Sequence, residues 1–561
     1  MHVMHALRLA LLFVAVLAAS GCASTPVPSS EIGFTARSWP GAETAPCAKD
    51  AAGNARPGIA RMTSVDELTI RFALCAPDPA FTQKLAVANF AVSDSGWLTA
   101  AIADGTFTTT MNGTGPFAFS TWERGAQLVF KRNDAYWGDK AKSSQLVVQW
   151  EPESAARLLQ LRAGTVDGID NVAPTDAAVV GADSALSLMP RAGFNTFYLN
   201  FNNRYAPFSD VRVRKAIGMA LDRQRIVDLF YPAGSTLATH VPPCIIQFAC
   251  GGSDWYAQDL AGARALLAEA GYANGLDMTL SLRETPRAYL PSPMEVATDI
   301  QAQLAAIGVR VTLDVQEAGS YIDKLLSGEL QGASFSAALP DYPEAWNSLG
   351  IDFGSESGPT HGDQYPRLVE LLDIAQRATG DSPRTAAFAA LNDEIRASVP
   401  VVPIANGASL VAVRGAVHGF ATSPVAMEQF SSVSVDGKAG FVWLQGAEPA
   451  GLYCADEEDR DTVRVCAQVM EGLFGYAAGG TTAEPRLATG CTVSADGLMV
   501  ECTLRSNVRF HNGARLDASD VLDSFAAAWD CAHPLHVGRT GDFRTWSWIM
   551  GTIHPEACAA P

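Results

Sequence analysis

Long apolar runs are scarce in this 561-residue chain: the run at residues 9 to 18 is too short to span a membrane, and no other stretch is long enough. Basic residues are also few, 40 against 59 acidic ones. The resulting net charge of -19 argues against nucleic acid or an anionic membrane surface as a partner. Catalytic signatures are missing too. There is no Gly-x-Ser-x-Gly elbow and no His-Glu-x-x-His, and the glycines at 113 and 115 lack the lysine and hydroxyl residue of a phosphate loop. These absences predict no enzyme and no cofactor. No segment repeats an earlier one, so a tandem array is excluded, and the length calls for two or three lobes with substantial cores.

The chain opens with a targeting pattern. Arg8 and two histidines precede the apolar run at 9 to 18, and Ala19-Ser20-Gly21-Cys22 is similar to a lipobox in which Cys22 becomes the lipidated first residue. Residues 1–22 are therefore expected to be a lipoprotein signal peptide and 23–30, small and polar, a flexible tether. The mature protein is then extracytoplasmic and held at the membrane by its lipid alone.

Without Cys22 ten cysteines remain, an even number in an oxidising compartment. Cys491 and Cys502 are symmetric about Asp496-Gly497, a strong hairpin signal, which places them opposite each other as a hydrogen-bonded pair on two strands. Cys244 and Cys250 can close a short loop, and Cys454 can pin the segment before the helix carrying Cys466. The pairing of Cys47, Cys75, Cys531 and Cys558 stays open, 47 with 75 and 531 with 558 being the arrangement we favour. Cys531, His533 and His536, and His240 with Cys244 and Cys250, have ligand-like spacing. In an oxidising compartment their cysteines are expected in disulfides, so no metal is assigned.

Periodicity supplies the elements between. Residues 154 to 164 read as an amphipathic helix stopped by Gly164, and 195 to 201 as a strand. From 210 to 223 a helix shows a row of basic residues read as a solvated face. A helix at 257 to 271, a strand at 278 to 282, a helix with Met294, Ala297, Ile300 and Leu304, and a strand at 309 to 315 form a βαβ unit, which predicts parallel pairing. Further helices are expected at 368 to 377 and 384 to 395, and a buried strand at 401 to 404.

Four pieces resemble one family: Gly113-Thr-Gly-Pro-Phe117, Asn133-Asp-Ala-Tyr-Trp137, the helix at 210 to 223, and Asp496 to Gly513 followed by Ala518-Ser519-Asp520-Val521. They are similar to the family-five solute-binding proteins of ABC importers, the peptide and oligopeptide class. In ordinary members the part resembling 440 to 550 comes first and the part resembling 65 to 433 follows. The resemblance therefore implies a circularly permuted, two-lobed α/β periplasmic-binding-protein fold (type II, cluster C) with an extra subdomain. The implied layout is 31–105 as part of the extra subdomain, 106–212 as lobe I and 213–404 as lobe II. Residues 405–454 return to lobe I, joining the old termini, and 455–561 complete the extra subdomain.

The same resemblance implies a small-peptide ligand in the cleft and importer permease subunits as partners. Asp341, in Leu339-Pro-Asp-Tyr-Pro-Glu344, matches the acidic residue that meets a peptide's α-amino group. Arg287, in Arg287-Ala-Tyr-Leu-Pro-Ser-Pro293, matches an arginine for its carboxylate. Tyr342 and Glu448 complete the candidate set. The plainer reading of Asp341 is a turn cap beside Pro343. The tryptophan that often precedes the acidic residue is absent, with Phe335 and Ala337 in its neighbourhood, so a sugar, opine, nickel or haem ligand stays open. So do a peptide sensor or chaperone without a transport role and a domain-swapped dimer.

Overall fold

Alternating burial shapes β2 (Ile59–Asp66) and β3 (Thr69–Leu74): in β3, Ile70, Phe72 and Leu74 point inward while Thr69, Arg71 and Ala73 are half exposed. These strands are the middle of an antiparallel five-stranded sheet, β1 (Arg37–Trp39), β2, β3, β22 (Met499–Leu504) and β21 (Ala488–Val493). Segments from near the two ends of the chain thus share one sheet. Aromatic packing continues the union, with Phe525 centred 5.9 Å from Phe72 and 5.0 Å from Trp546, and Phe90 4.1 Å from Trp546.

The structure is a computed structural model that describes residues 34–49 and 53–558. Residues 36–561 form one compact unit, to which everything below refers. The expected signal peptide, tether and lipidated Cys22 lie outside the described residues. No helix among the described residues is long and apolar enough to cross a membrane.

Two larger sheets follow. The seven-stranded one has the order β4 (Phe117–Glu123), β5 (Gln127–Arg132), β6 (Gln145–Trp150), β18 (Gly440–Gln445), β7 (Gly168–Ile169), β15 (Ser409–Arg414), β8 (Leu186–Arg191). Its core is aromatic, with Phe117, Phe130, Phe441 and Trp443 all at most 1% exposed. The six-stranded sheet has the order β10 (Thr236–Leu237), β14 (Val401–Asn406), β9 (Thr196–Phe201), β13 (Ala333–Ala338), β11 (Leu276–Arg283), β12 (Val309–Gln316). Two short ladders, β16 (Val417–His418) with β17 (Ser434–Val435) and β19 (Phe474–Tyr476) with β20 (Ala483–Pro485), lie outside these sheets.

The βαβ unit is present: β11 and β12 pair in parallel through eight residue pairs, with the helix Pro293–Ala305 between them. The chain leaves the seven-stranded sheet after Arg191 and enters the other at Thr196, earlier than the boundary expected after 212. The reason is that β9 is buried along its whole length as a central strand between β13 and β14. It returns between Asn406 and Ser409, close to the expected 404.

Two local expectations need correction. The helix read from 210 to 223 is two helices, Val211–Ala220 and Arg223–Phe230, the second capped by Asp222, which accepts from the Arg225 amide at 2.9 Å. Its basic row is not all solvated. Arg214 and Arg223 are buried and donate to main-chain carbonyls, Arg214 to Val399 at 2.8 Å and Arg223 to Pro403 at 2.8 Å. The hairpin turn also differs from a two-residue loop. The Gly497 amide donates to Ser494 O at 2.9 Å, so Ala495 and Asp496 occupy the turn and Gly497 follows at φ +73°. The register is unchanged because this loop is symmetric about the same point.

Five disulfides join Cys47 with Cys75, Cys244 with Cys250, Cys454 with Cys466, Cys491 with Cys502, and Cys531 with Cys558. Cys491 and Cys502 face each other directly, but at a Cα separation of 4.0 Å. That spacing is that of a narrow, non-hydrogen-bonded pair, not the wide pair expected.

Candidate functional site

Strand direction locates the site. In the seven-stranded sheet β6, β18, β7 and β8 run the same way, and the crossover to the other sheet leaves from the end of β8. In the six-stranded sheet β11, β12, β13 and β14 share a direction, and the return crossover leaves from the end of β14. Both crossovers therefore join the carboxyl-terminal edges of the two sheets. Ligands of open α/β sheets bind outside such edges.

Arg287, Asp341 and Tyr342 lie on this edge of the six-stranded sheet. Arg287 is in the loop after β11, and the other two are in the loop after β13, its parallel neighbour. The Arg287 loop closes on itself, amide to Leu290 O at 3.0 Å, and lies against the return crossover so tightly that a Cβ at Gly407 would be 2.2 Å from Ala288 O. The Arg287 guanidinium is exposed and, among the described residues, reaches only Pro286 O, at 3.2 Å.

Asp341 is anchored rather than capping. Its amide donates to Asn347 Oδ1 at 2.6 Å, and the cap of the helix Ala345–Phe353 is Glu344, which accepts from Trp346 and Asn347. The Asp341 side chain is solvent-exposed, yet desolvation by crowded surroundings pushes its pKa up, with only the Asn347 amide opposing. Open to water on one side and crowded on the others, it has the setting of a concave wall. Tyr342 is buried, its hydroxyl held well above the ordinary tyrosine range by burial and by Glu344. Lys84, paired with Asp78 at 2.7 Å, lies 5.9 Å over the Tyr342 ring.

That contact reaches across from the five-stranded side, and others do likewise: Thr481 donates to Ile245 O at 2.8 Å, and Arg56 pairs with Glu356. Glu448 follows β18 on the facing edge. Its carboxylate accepts from the Trp122 indole at 3.0 Å and the Gly125 amide at 3.2 Å, which fixes the turn between β4 and β5. Those bonds make it a support of this edge and leave little acceptor capacity for a ligand.

Sequence reasoning missed the largest electrostatic feature of the edge. Asp170, just past β7, and Arg191, ending β8, form an alternating ring with Glu428 and Arg464. Its links are 2.9 Å from Arg191 to Asp170, 2.8 Å from Arg191 to Glu428, 2.9 Å from Arg464 to Glu428 and 2.7 Å from Arg464 to Asp170. No member is more than 4% exposed. Burial alone would raise the Asp170 pKa, but Arg464 and Arg191 outweigh it and hold the carboxyl below its ordinary value. Arg460, one turn before Arg464 on the same helix, is exposed and meets no carboxylate among the described residues. Its pKa is lowered by desolvation and by the Arg191 and Arg464 charges. A signal for the ring existed: Arg464 sits between Val463 and Val465 in the helix Arg460–Val469.

The two cysteine and histidine clusters are not thiolate sites. Their sulfurs belong to the disulfides Cys244–Cys250 and Cys531–Cys558, and His533 packs edge-on against Trp39, its Nδ1 accepting from the Leu535 amide.

Two mixed sheets joined by paired crossovers at their carboxyl edges define a two-lobed α/β binding protein. The comparisons with known proteins identify which kind. The family model described as "Bacterial extracellular solute-binding proteins, family 5 Middle" matches residues 28–359 and 482–540, and the chain belongs to this family. It is similar to Di/tripeptide-binding protein 1 of Pseudomonas aeruginosa (strain UCBPP-PA14), 31% identical over 391 residues, covering 67% of this chain and 71% of that one. Heme-binding protein A of Haemophilus influenzae is 29% identical over 383 residues, covering 67% and 69%. Among solved structures, HbpA2 from Haemophilus parasuis matches with a TM-score of 0.61 at 26% identity, over 67% of this chain and 75% of that one. The periplasmic binding protein DppA from Helicobacter pylori, in complex with the peptide STSA, gives 0.52 at 25% identity, over 68% and 74%.

Proposed function

We propose that this protein is the extracytoplasmic binding component of an ABC importer, taking short peptides between the two carboxyl sheet edges and delivering them to a permease. The observation that carries this reading is Asp341, an exposed carboxylate in crowded surroundings, matched by Arg287, an exposed cation on the adjacent loop, neither meeting an opposite charge among the described residues. An α-ammonium and an α-carboxylate are the ligand groups that complement this pair, and closure over them strengthens both contacts by excluding water. Relatives named for di- and tripeptides support it. Lipidation at Cys22 would tether the protein to the membrane.

The seven-stranded sheet serves as the first lobe, the six-stranded sheet as the second, and the five-stranded sheet as the extra subdomain. The chain order is a circular permutation, a reading supported by the sharing of the five-stranded sheet between segments from near both ends of the chain. A chain reopened between 435 and 440, with 558 linked to 36, should fold and bind as the natural order does. Failure to fold would oppose the permutation.

The test of the ligand is calorimetry with free and N-acetylated dipeptides. Asp341→Ala should weaken free-amino peptides by about 30-fold, on the order of 2 kcal/mol, and leave acetylated ones unchanged. Equal losses would remove Asp341 from the role. A haem-binding relative at 29% identity gives a second reading, and native mass spectrometry of the purified protein separates the two by the mass it carries.

A further inference from the structure

At the far end of the helix Arg460–Val469 from Arg460 lies a groove of about 620 Å³, within the range of small-molecule sites. We propose that this groove is a second binding site, selective for small organic dianions with an apolar or aromatic body.

Its charge is opposite to that of the molecule. In a chain of net charge -19, Lys140 and Lys142 line it from the segment after β5, and Arg486 and Arg505 line it from the segments flanking β21 and β22. Among the described residues Lys140, Lys142 and Arg505 meet no carboxylate, and only Arg486 forms an ion pair, a long one with Glu484. Arg505 donates to Arg486 O at 2.5 Å and lies 4.5 Å over the Trp137 ring. The Arg486 guanidinium is 3.9 Å from Glu484. Lys140 and Lys142 have no side-chain partner among the described residues.

Two acids also line the groove. Asp139 is exposed. Glu471 is buried and accepts from Thr114 at 2.8 Å, Tyr136 at 2.7 Å and Trp137 at 2.9 Å; desolvation pushes its pKa up, while these bonds and the Arg486 charge oppose the shift. Its two oxygens are engaged by these three donors, and along the lining four cations face these two acids. Between the cations the lining mixes apolar and aromatic side chains, Met427, Met470 and Tyr476, with the polar Ser423, Gln429 and Ser431. Cations supplied by three separate segments around apolar and aromatic side chains match a ligand with two anionic groups on a hydrophobic body. This inference does not depend on the peptide reading, because Asp341 and Arg287 belong to the other sheet.

The test uses the mature protein and benzene-1,3-dicarboxylate, with benzoate and a free-amino dipeptide in parallel, followed by calorimetry and tryptophan fluorescence. The dicarboxylate is expected to bind saturably, at least tenfold more tightly than benzoate, and to weaken as salt is raised. The double variant Lys140→Gln, Lys142→Gln removes two exposed side chains, so its fold should persist. It should lose at least tenfold in dicarboxylate affinity and keep its dipeptide affinity. Trp137→Phe should abolish the fluorescence change. Equal binding of benzoate and dicarboxylate, an unaffected double variant, or no saturation would each overturn the proposal. Saturable binding of an acidic peptide without binding of the dicarboxylate would overturn it too, making the groove a protein-docking surface.

Discussion

The two facing edges handle charge in opposite ways. On the seven-stranded side Asp170, Arg191, Glu428 and Arg464 are buried and answer one another completely. On the six-stranded side Asp341 and Arg287 stay exposed, each without an opposite charge among the described residues. Charges that are answered internally hold a shape, whereas charges left open at a concave edge are available to a ligand. One crossover leaves from the ring member Arg191 and the other arrives at Ser409, whose hydroxyl accepts from Arg191 at 3.0 Å, so the ring braces both where they meet the seven-stranded sheet.

The sharpest way to break that comparison is to remove one ring member. Arg464→Met leaves Asp170 and Glu428 buried with half their cationic partners, and breaking buried pairs in this way costs about 3–5 kcal/mol. Urea denaturation should show a loss of that size. A loss below about 1 kcal/mol would mean that water enters the ring and that its closure is not structural. By contrast, Asp341→Ala should leave stability within about 0.5 kcal/mol while affecting binding.

A smaller effect comes from Asp520, in the helix Ala518–Trp529 that bonds the two ends of the chain. Its carboxylate accepts from the Ser95 amide and hydroxyl, both at 2.9 Å, and closes the capping box with Asp517. Burial pushes its pKa up to about 6. The folded state then holds this proton where the unfolded state has released it, so the contribution of Asp520 to stability falls as pH rises from about 4 to about 6. The ring acid Asp170, whose pKa is depressed, has the opposite sign, losing stability as pH falls. Relative to Asp520→Asn, the wild type should therefore lose about 3 kcal/mol across that window. A constant difference between the two proteins would show that Asp520 is not raised.

What was legible in the sequence was local or carried by a long motif. The βαβ unit follows from periodicity over 278 to 315, and the facing of Cys491 and Cys502 follows from the symmetry of one turn. The family, and with it Asp341 and Arg287 as candidates, came from motifs rather than from spacing. The ring was not legible because its members are scattered from position 170 to 464 and meet only when two strand ends, a loop and a helix converge. Arg214 and Arg223 misled for a related reason: a helix periodicity shows where charges fall on the helix, but not that Val399 and Pro403, nearly two hundred residues later, will present carbonyls to them.

Arg460 falls between the two kinds of charge and gives the finest test. It shares the helix and face of Arg464, but the acids nearby are already engaged: Asp170 and Glu428 with the ring, Asp461 with Arg464 at 2.8 Å and the Ala447 amide at 2.8 Å, and Asp459 with the Thr462 amide at 2.8 Å. If open charges at this edge serve the ligand, Arg460→Gln should weaken Ala-Glu by about five- to tenfold, roughly 1 kcal/mol, relative to Ala-Gln, with stability unchanged. The logic is one of difference: Ala-Glu and Ala-Gln share the backbone groups assigned to Asp341 and Arg287, so those contacts cancel and only the side-chain charge is read. Equal losses for both peptides would place Arg460 in general cleft electrostatics. No loss for either would place its guanidinium outside the ligand's reach, leaving the open charges of this edge on the six-stranded side alone.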